Sequence, residues 1–588
     1  MLMQFDHAAR FSYRLVDRCS RSNVGSLHAF CTSKPSQPTK ASSCSLQNWK
    51  PQCSASSKLC RTTPCPRRRS FASINLSPYT EDILKMDQHN KRVQSISTVI
   101  RNFYERKEKW RVHHGSTNST RPTVSKNLVH IESLSNVLKI DPNKMTCLVE
   151  PNVPMDRLIE ATLKLGLIPP VVMEFPGITV GGGYSGTCGE SSSFRHGFFD
   201  KTIKSVEMVL ATGEVIKLSP SENADLFNGG AGAMGTYGVA TLIELQLRQA
   251  RKFVRTVYHP VTNVKSAIEL IKSSCSDLNI DYIDGIMFSP KSGVIVTGTL
   301  TDELDSSHPI TRFSRRCDPW FYLHAKDQID SGLVKVDFIP LADYLFRYDR
   351  GGFWVGAAAF QYFKIPFNKF TRWALDDFLH TRMMYTALHA SGQSKKFMVQ
   401  DLALPYKTAE DFIRFTHQEF DIWPLWLCPL KPSPMPTMHP HSLFGETKSD
   451  GITPEPILNI GLWGWDPSNP SELIEKNKAL ESKLKALGGM KWLYAHTYYE
   501  KEQFWEQFDQ KWYEDLREKY HATSLPSVYD KAKVNLSAEG REEQAKAQDS
   551  YLKRLANMWP FPGLYGIKKA IESRSYIAAR KSEWKNIV

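Results

Sequence analysis

Nowhere does this 588-residue chain hold the roughly 18 consecutive apolar residues that a bilayer-spanning helix needs. Its richest apolar runs, residues 351–363 (GGFWVGAAAFQYF) and 423–430 (WPLWLCPL), are short and aromatic. They suit a buried core, the wall of a binding site or a surface dipping into lipid, with core the expectation. Acids are nearly missing from the head of the chain. Twelve of the 75 Lys and Arg residues lie within residues 1–70, against only two of the 61 acids, Asp6 and Asp17. Most of the net charge of +14 therefore belongs to the head, and the rest is close to neutral. That distribution excludes a polyanion-binding groove, so no nucleic-acid partner is expected. Cysteine is scarce beyond the head, where Cys147, Cys188, Cys275, Cys317 and Cys428 stand singly. No disulfide framework and no metal-ligand spacing are read from them, and the body reads as a reduced, intracellular enzyme.

Residues 1–75 are rich in Ser, Thr, Arg and Cys, with Arg67-Arg68-Arg69-Ser70-Phe71-Ala72-Ser73 resembling a processing site. The expectation is a disordered basic leader, either a mitochondrial transit-like segment or an untargeted tail.

Beyond the leader, Val93, Ile96, Val99, Ile100 and Phe103 recur at helical steps between Tyr79 and Trp110. Strand-like runs follow at Leu128–Ile131, Thr146–Val149 and Ile168–Val172, with a helix at Met155–Leu165 between the last two. A strand–turn–strand over 205–218 and a strand at Val239–Leu247 complete an α+β pattern of short elements. After residue 250 the texture changes. A helix is expected at Lys265–Ser274 and a strand at Gly293–Leu300, and Trp320, Trp354, Trp373, Trp423, Trp426, Trp463, Trp465 and Trp492 crowd in. Such a domain suits a bulky hydrophobic ligand, although tryptophans also fill large cores. Residues 531–588 read as a charged, mostly helical extension with Lys568, Lys569, Arg574, Arg580, Lys581 and Lys585 near its end, expected to be solvated, with contact to an anionic surface as the alternative.

Two stretches match G-x-G-x-x-G, at Gly181–Gly186 and Gly230–Gly235. A Rossmann site would need a strand before each motif and a helix opening at its end. Neither context is read here, so that site is rejected. Small residues serve another purpose: without a Cβ, backbone amides can approach a pyrophosphate or the edge of a flavin. With the loop at 113–119, three small polar loops could enclose a long dinucleotide from separate directions.

These loops, with Val149-Glu-Pro-Asn-Val-Pro-Met155, Val209-Leu-Ala-Thr-Gly213 and Pro220–Phe227, resemble the FAD-binding domain of the vanillyl-alcohol-oxidase or PCMH type. Within that superfamily the chain is most similar to the Δ24-sterol reductases. Family-like segments continue through Asp318–Phe321, Val399-Gln-Asp401, Trp423–Pro429, Leu493-Tyr-Ala495 with Tyr498, and Val528-Tyr-Asp530. The resemblance thus covers roughly residues 90–530. It implies an α+β fold: a two-part PCMH-type FAD-binding domain at 90–250 and an α+β substrate (cap) domain at 251–530.

By the same resemblance the cofactor would be held by Thr179, Val180, Gly181, Gly182, Gly183, Tyr184, Ser185, Gly186, Thr187, Cys188, Gly189, Glu190 and Ser191. Gly235, Thr236, Gly238 and Val239 would close over it, with Gly115 and Ser116 at the pyrophosphate. FAD is expected to be non-covalent despite His113 and His114, and NADPH is the implied reductant. The implied reaction saturates the C24=C25 bond of a sterol side chain, with Tyr498 and Tyr494 first among proton donors, then Glu190 and His196. Endoplasmic-reticulum membrane association and a peripheral membrane contact are likewise implied by relatives. The alternatives are a flavin oxidase or dehydrogenase of a 2-hydroxy acid or aldonolactone, and a non-catalytic flavin- or sterol-binding protein.

Overall fold

The computed structural model describes residues 78–115, 126–448, 450–466, 468–534 and 558–587. The expectations for the leader and for Ser116 lie outside them. Residues 75–588 form one compact unit.

The chain enters on helix Pro78–Glu105, which buries Val93, Ile96 and Ile100 as their spacing requires. Its buried His89 lies 2.9 Å from Glu150 and 3.2 Å from Glu207. Burial disfavours the imidazolium, but the hydrogen bonds and charges of these two carboxylates outweigh it and hold the pKa up at about 9. The helix is thereby pinned to a five-stranded sheet ordered Val137–Asp141, Thr146–Val149, Gly238–Gln246, Ile203–Leu210, Val215–Leu218. Every pairing in that sheet is antiparallel. Among the described residues the parallel pairing is Arg111–His113 with Leu128–His130, so no doubly wound sheet underlies the glycine motifs. One local feature differs from expectation. The first motif does form a helix, Val180–Gly186, whose N-cap Thr179 accepts a hydrogen bond from the Gly182 amide.

An eight-stranded antiparallel sheet follows, ordered Lys335–Pro340, Phe253–Val261, Ser292–Thr301, Tyr282–Ser289, Leu425–Leu430, Ile457–Trp465, Phe397–Pro405, Met490–Lys491. Numbered within each half along the chain, the order runs 4-1-3-2 and then 2-3-1-4. The halves are two copies of one strand order, joined where Gly285, Ile286 and Met287 pair with Leu427, Trp426 and Leu425. Alternation sends every second side chain to opposite faces. Met398, Leu402, Leu404, Leu458, Ile460 and Leu462 pack under helices Val264–Ser274, Tyr406–Glu419 and Pro470–Ala486. The opposite face presents Asp284, Val399, Asp401, Trp426, Asn459 and Trp463 to the interior.

Residues 558–587, the described part of the C-terminal extension beyond residue 534, are not the solvated appendage that its charge suggested. Helix Phe561–Glu572 lies against helix Thr381–Ala390, so close that a Cβ on Gly566 would stand 2.4 Å from the Ala387 carbonyl oxygen. Beyond it Arg580 grips Asp377 at 2.9 and 2.5 Å, and the Glu583 amide donates to Glu160. Trp584 is buried with its ring centroid 4.9 Å from that of Phe346. Trp584→Ala is expected to cost about 3–5 kcal/mol, the usual range for deleting a buried tryptophan. Urea unfolding reads this as a lowered midpoint, and an unchanged midpoint would show that the docked tail contributes no stability.

Candidate active site

The two sheets and the C-terminal helix enclose one cavity of about 890 Å³. On one side its wall is small and polar: Thr179, Gly181, Gly182, Ser185, Gly186, Thr187, Cys188, Gly189 and Glu190, with Gly235, Gly238 and Val239. On the other it is aromatic and aliphatic, from Phe353, Phe360, Phe363, Met383, Trp426, Trp463 and Trp465 among others. Both glycine motifs and the tryptophan-rich half thus reach one space, as ligand cavities between domains commonly do.

Glycine is needed on the polar side for two different reasons. A Cβ on Gly183 would stand 2.6 Å from Met173 Cε and 2.8 Å from a Phe199 ring carbon, so this residue lets the short helix seat on the core. A Cβ on Gly186 would meet no protein atom within 4 Å and would project into the cavity itself. The remaining expected cofactor residues stand behind this wall. Val180 and Tyr184 are buried beneath it, and Thr236 is buried with its hydroxyl taking a 2.9 Å bond from Tyr513. The Ser191 hydroxyl donates to Glu174 at 2.7 Å. Gly115 adopts φ +67° beside Glu132. His114 lines the cavity, whereas His113 Nε2 lies 3.2 Å from Glu132. Sequence reading missed Arg111, Trp492 and Lys531, which also line this side. Trp492 donates to the Thr187 carbonyl at 2.8 Å and Lys531 to that of Met234 at 2.7 Å, so both brace the loops.

The expected proton donors fall in different places. Tyr494 lines the cavity and donates its hydroxyl to Asp401. Asp401 also accepts from Asn459 at 3.0 Å and Trp463 at 3.2 Å. Burial drives its carboxyl up to about 6, and the three hydrogen bonds only partly offset that. Tyr498 is not among the cavity-lining residues, and its backbone amide donates to Glu481. His196 also lies outside the lining, held down to about 4 by burial and the neighbouring Arg248 and Arg195. Glu190 does line the cavity, and burial together with the Glu174 charge pushes it well above the carboxylate range. Glu174, pushed up to about 7 by burial against the pull of Arg347, shares that guanidinium with Asp284. Asp401 is the acid that sequence reasoning overlooked. Its only signal was its place in Val399-Gln-Asp401.

Residues 90–219 match the FAD binding domain family. The chain carries an FAD binding domain. The small-residue wall fits such a group, since it leaves room for a ligand against exposed backbone. Along its length the chain is similar to the Delta(24)-sterol reductase of Homo sapiens, 28% identical over 75% of this chain and 86% of the relative. It is similar to the enzyme of that name from Arabidopsis thaliana, at 26% over 72% of this chain and 79% of the relative. Cytokinin dehydrogenase 9 of Oryza sativa matches at 30%, but over only 29% of this chain and 33% of the relative. The family resemblance read from the motifs therefore extends well beyond the matched FAD binding domain, and it marks the chain as an FAD-dependent oxidoreductase. No helix among the described residues is long and apolar enough to cross a membrane.

Proposed function

We propose that this FAD-dependent oxidoreductase saturates the C24=C25 double bond of a sterol side chain, with NADPH as the reductant. The observation that carries the reading is Tyr494, which lines the cavity and is hydrogen-bonded to a buried Asp401 on the same sheet face as Trp426 and Trp463. When bound, reduced FAD supplies a hydride to one alkene carbon. An isolated alkene is a poor hydride acceptor, so the neighbouring carbon needs a proton in the same event. Tyr494 is placed to donate that proton, and Asp401 in its neutral form to return one to the phenol oxygen. The aromatic wall holds the apolar substrate and excludes water from the exchange. When FAD is bound, Thr179, Gly181, Gly182, Ser185 to Glu190, Gly235, Gly238 and Val239 would hold it, with Arg111, His114 and Lys531 available as donors to its anionic groups.

A 2-hydroxy acid would need a guanidinium or ammonium at the reacting end. The permanent cations of the lining, Arg111 and Lys531, both stand on the loop side, which favours the sterol reading. The decisive assay is anaerobic reduction of the flavin by NADPH, then reoxidation by a sterol carrying the C24=C25 bond or by a hydroxy-acid couple. Reoxidation by the sterol alone is expected; reoxidation by the hydroxy-acid couple alone, or by neither, would overturn the proposal. The flavin is further proposed to be untethered. Acid precipitation is expected to leave all of it in the supernatant, and yellow colour retained in the pellet would refute this.

A further inference from the structure

Helix Phe561–Glu572 has two apolar faces, and only one is covered. Gly563, Gly566 and Ala570 are buried against the body of the protein. The other face carries Phe561, Leu564, Tyr565 and Ile571, which are 49%, 49%, 51% and 44% exposed, and Trp559 and Met558 just before it are 50% and 61% exposed. Six large apolar side chains standing in solvent over 14 residues exceed the scattered singletons of an ordinary surface. Positions 561, 564, 565, 568 and 571 fall on one helix face, so Lys568 sits within the apolar stripe. Half-buried Lys569 and exposed Arg574 flank it, Lys568 and Lys569 both pair with Glu572, and Lys364 lies 4.7 Å from the Trp559 ring. A tryptophan, a tyrosine and a phenylalanine mixed with lysines are the composition that settles at a lipid headgroup boundary.

The stripe is also continuous with the cavity. Leu564 lines the cavity and is half exposed, and so are Phe378, at 36%, and Trp465, at 38%. The mouth therefore opens beside this helix.

We propose that the outer face of residues 558–572 docks on an anionic phospholipid bilayer and holds the mouth of the cavity at the membrane surface. The lysines and Arg574 meet headgroup phosphates while Trp559, Phe561, Tyr565 and Ile571 enter the acyl boundary. Docking stands on the surface alone. The further statement that substrate enters from the bilayer rests on the sterol reading above.

The test uses the full chain with vesicles of phosphatidylcholine and phosphatidylserine containing a photoreactive phospholipid, with crosslinks mapped peptide by peptide. Mapping separates this helix from the basic leader. Crosslinks are expected to concentrate in residues 558–572. The combined variant Phe561→Ser, Tyr565→Ser, Ile571→Ser should reduce them at least about fivefold, given the apolar area withdrawn from lipid. Lys568→Gln with Arg574→Gln should reduce them only on vesicles containing phosphatidylserine, and Leu278→Ser with Ile452→Ser should change nothing. Flavin content of each variant reports folding. Lipid crosslinks confined to other peptides would overturn the proposal, as would an apolar patch covered by a second copy of the chain, seen as a doubled mass with no lipid label. For the route, the triple variant should turn over vesicle-borne sterol more slowly while matching the unaltered protein on cyclodextrin-carried sterol. Equal slowing on both would overturn the route but not the docking, and wild-type inactivity on both would count against the sterol reading alone.

Discussion

Asp401→Asn is expected to lower the rate of the proposed sterol reduction by about 10²–10⁴-fold, the usual contribution of a positioned general acid, while flavin binding and flavin reduction persist. The physical basis is the placement of the carboxyl. Asp401 is buried on the cavity face of the cap sheet and sits among three donors, Tyr494, Asn459 and Trp463. Burial raises its pKa from 3.8 to about 6, so a useful fraction remains protonated near neutral pH. On the proposed mechanism the active form is the neutral acid, and turnover should fall as pH rises above about 6. In Asp401→Asn the residual rate should lose that dependence. Tyr494→Phe should show a comparable loss, and the double variant little more than either, because the two act as one relay.

Stability follows pH with the same sign. The folded protein holds the Asp401 proton more tightly than the unfolded chain does, so this group's contribution declines as pH rises from about 4 to about 6. The amide carries no such penalty. Its NH2 cannot accept, however, so at least one of the three donors loses its partner, and Asp401→Asn should stay folded at neutral pH with a loss of about 1–3 kcal/mol at most. A variant that lost turnover through unfolding, or that kept full turnover with an unaltered pH profile, would remove Asp401 from the mechanism.

Arg347→Met is expected to destabilise the protein by about 3–5 kcal/mol, the cost of stranding a buried partner charge. Arg347 is fully buried and donates to Glu174 at 2.9 Å, Asp284 at 2.9 Å and the Tyr344 carbonyl at 3.0 Å. Its guanidinium lies 4.2 Å from the Tyr344 ring centroid and 4.7 Å from that of Tyr348. Methionine replaces the bulk but none of these interactions. Glu174 and Asp284 would then be two buried carboxylates without their shared cation. Against a usual total of 5–15 kcal/mol such a loss is large, and urea titration followed by flavin fluorescence would register it. The deficit should shrink on acidification, as the stranded carboxyls take up protons, and Asp284→Asn added to the variant should recover part of it. A variant as stable as the parent at pH 7 would show that the cation is not needed to hold these acids.

What could be read from the sequence was local chemistry. Thr146–Val149 and the start of the helix at Met155 were legible to the residue because a short apolar run and Pro154 act within a few positions. The glycine loops were legible because small residues in series have few other uses, and the family model covers residues 90–219 where they begin. What escaped depends on contacts between distant segments. Asp401 is one carboxylate among many until strand register sets it opposite Gly461 and beside Asn459 and Trp463. Tyr498 and Tyr494 share a short sequence, yet only the second reaches the cavity. The tail looked solvated because its lysines dominate its composition, whereas Gly563, Gly566 and Ala570, which seat it, carry no signal of their own.

The repeated strand order of the cap has a further consequence. Taken alone, either half would end on an open edge, Tyr282–Ser289 in one and Leu425–Leu430 in the other, with a row of unpaired amides and carbonyls. Each edge is the natural template for another strand, and separate expression of the halves would invite self-association. Joining them in one chain makes each half the other's cover. The outward edges that remain are guarded differently, by a two-residue strand at Met490–Lys491 and by a strand running from lysine to proline at Lys335–Pro340. Pairing Tyr282–Ser289 with Leu425–Leu430 turns two sticky margins into an interior.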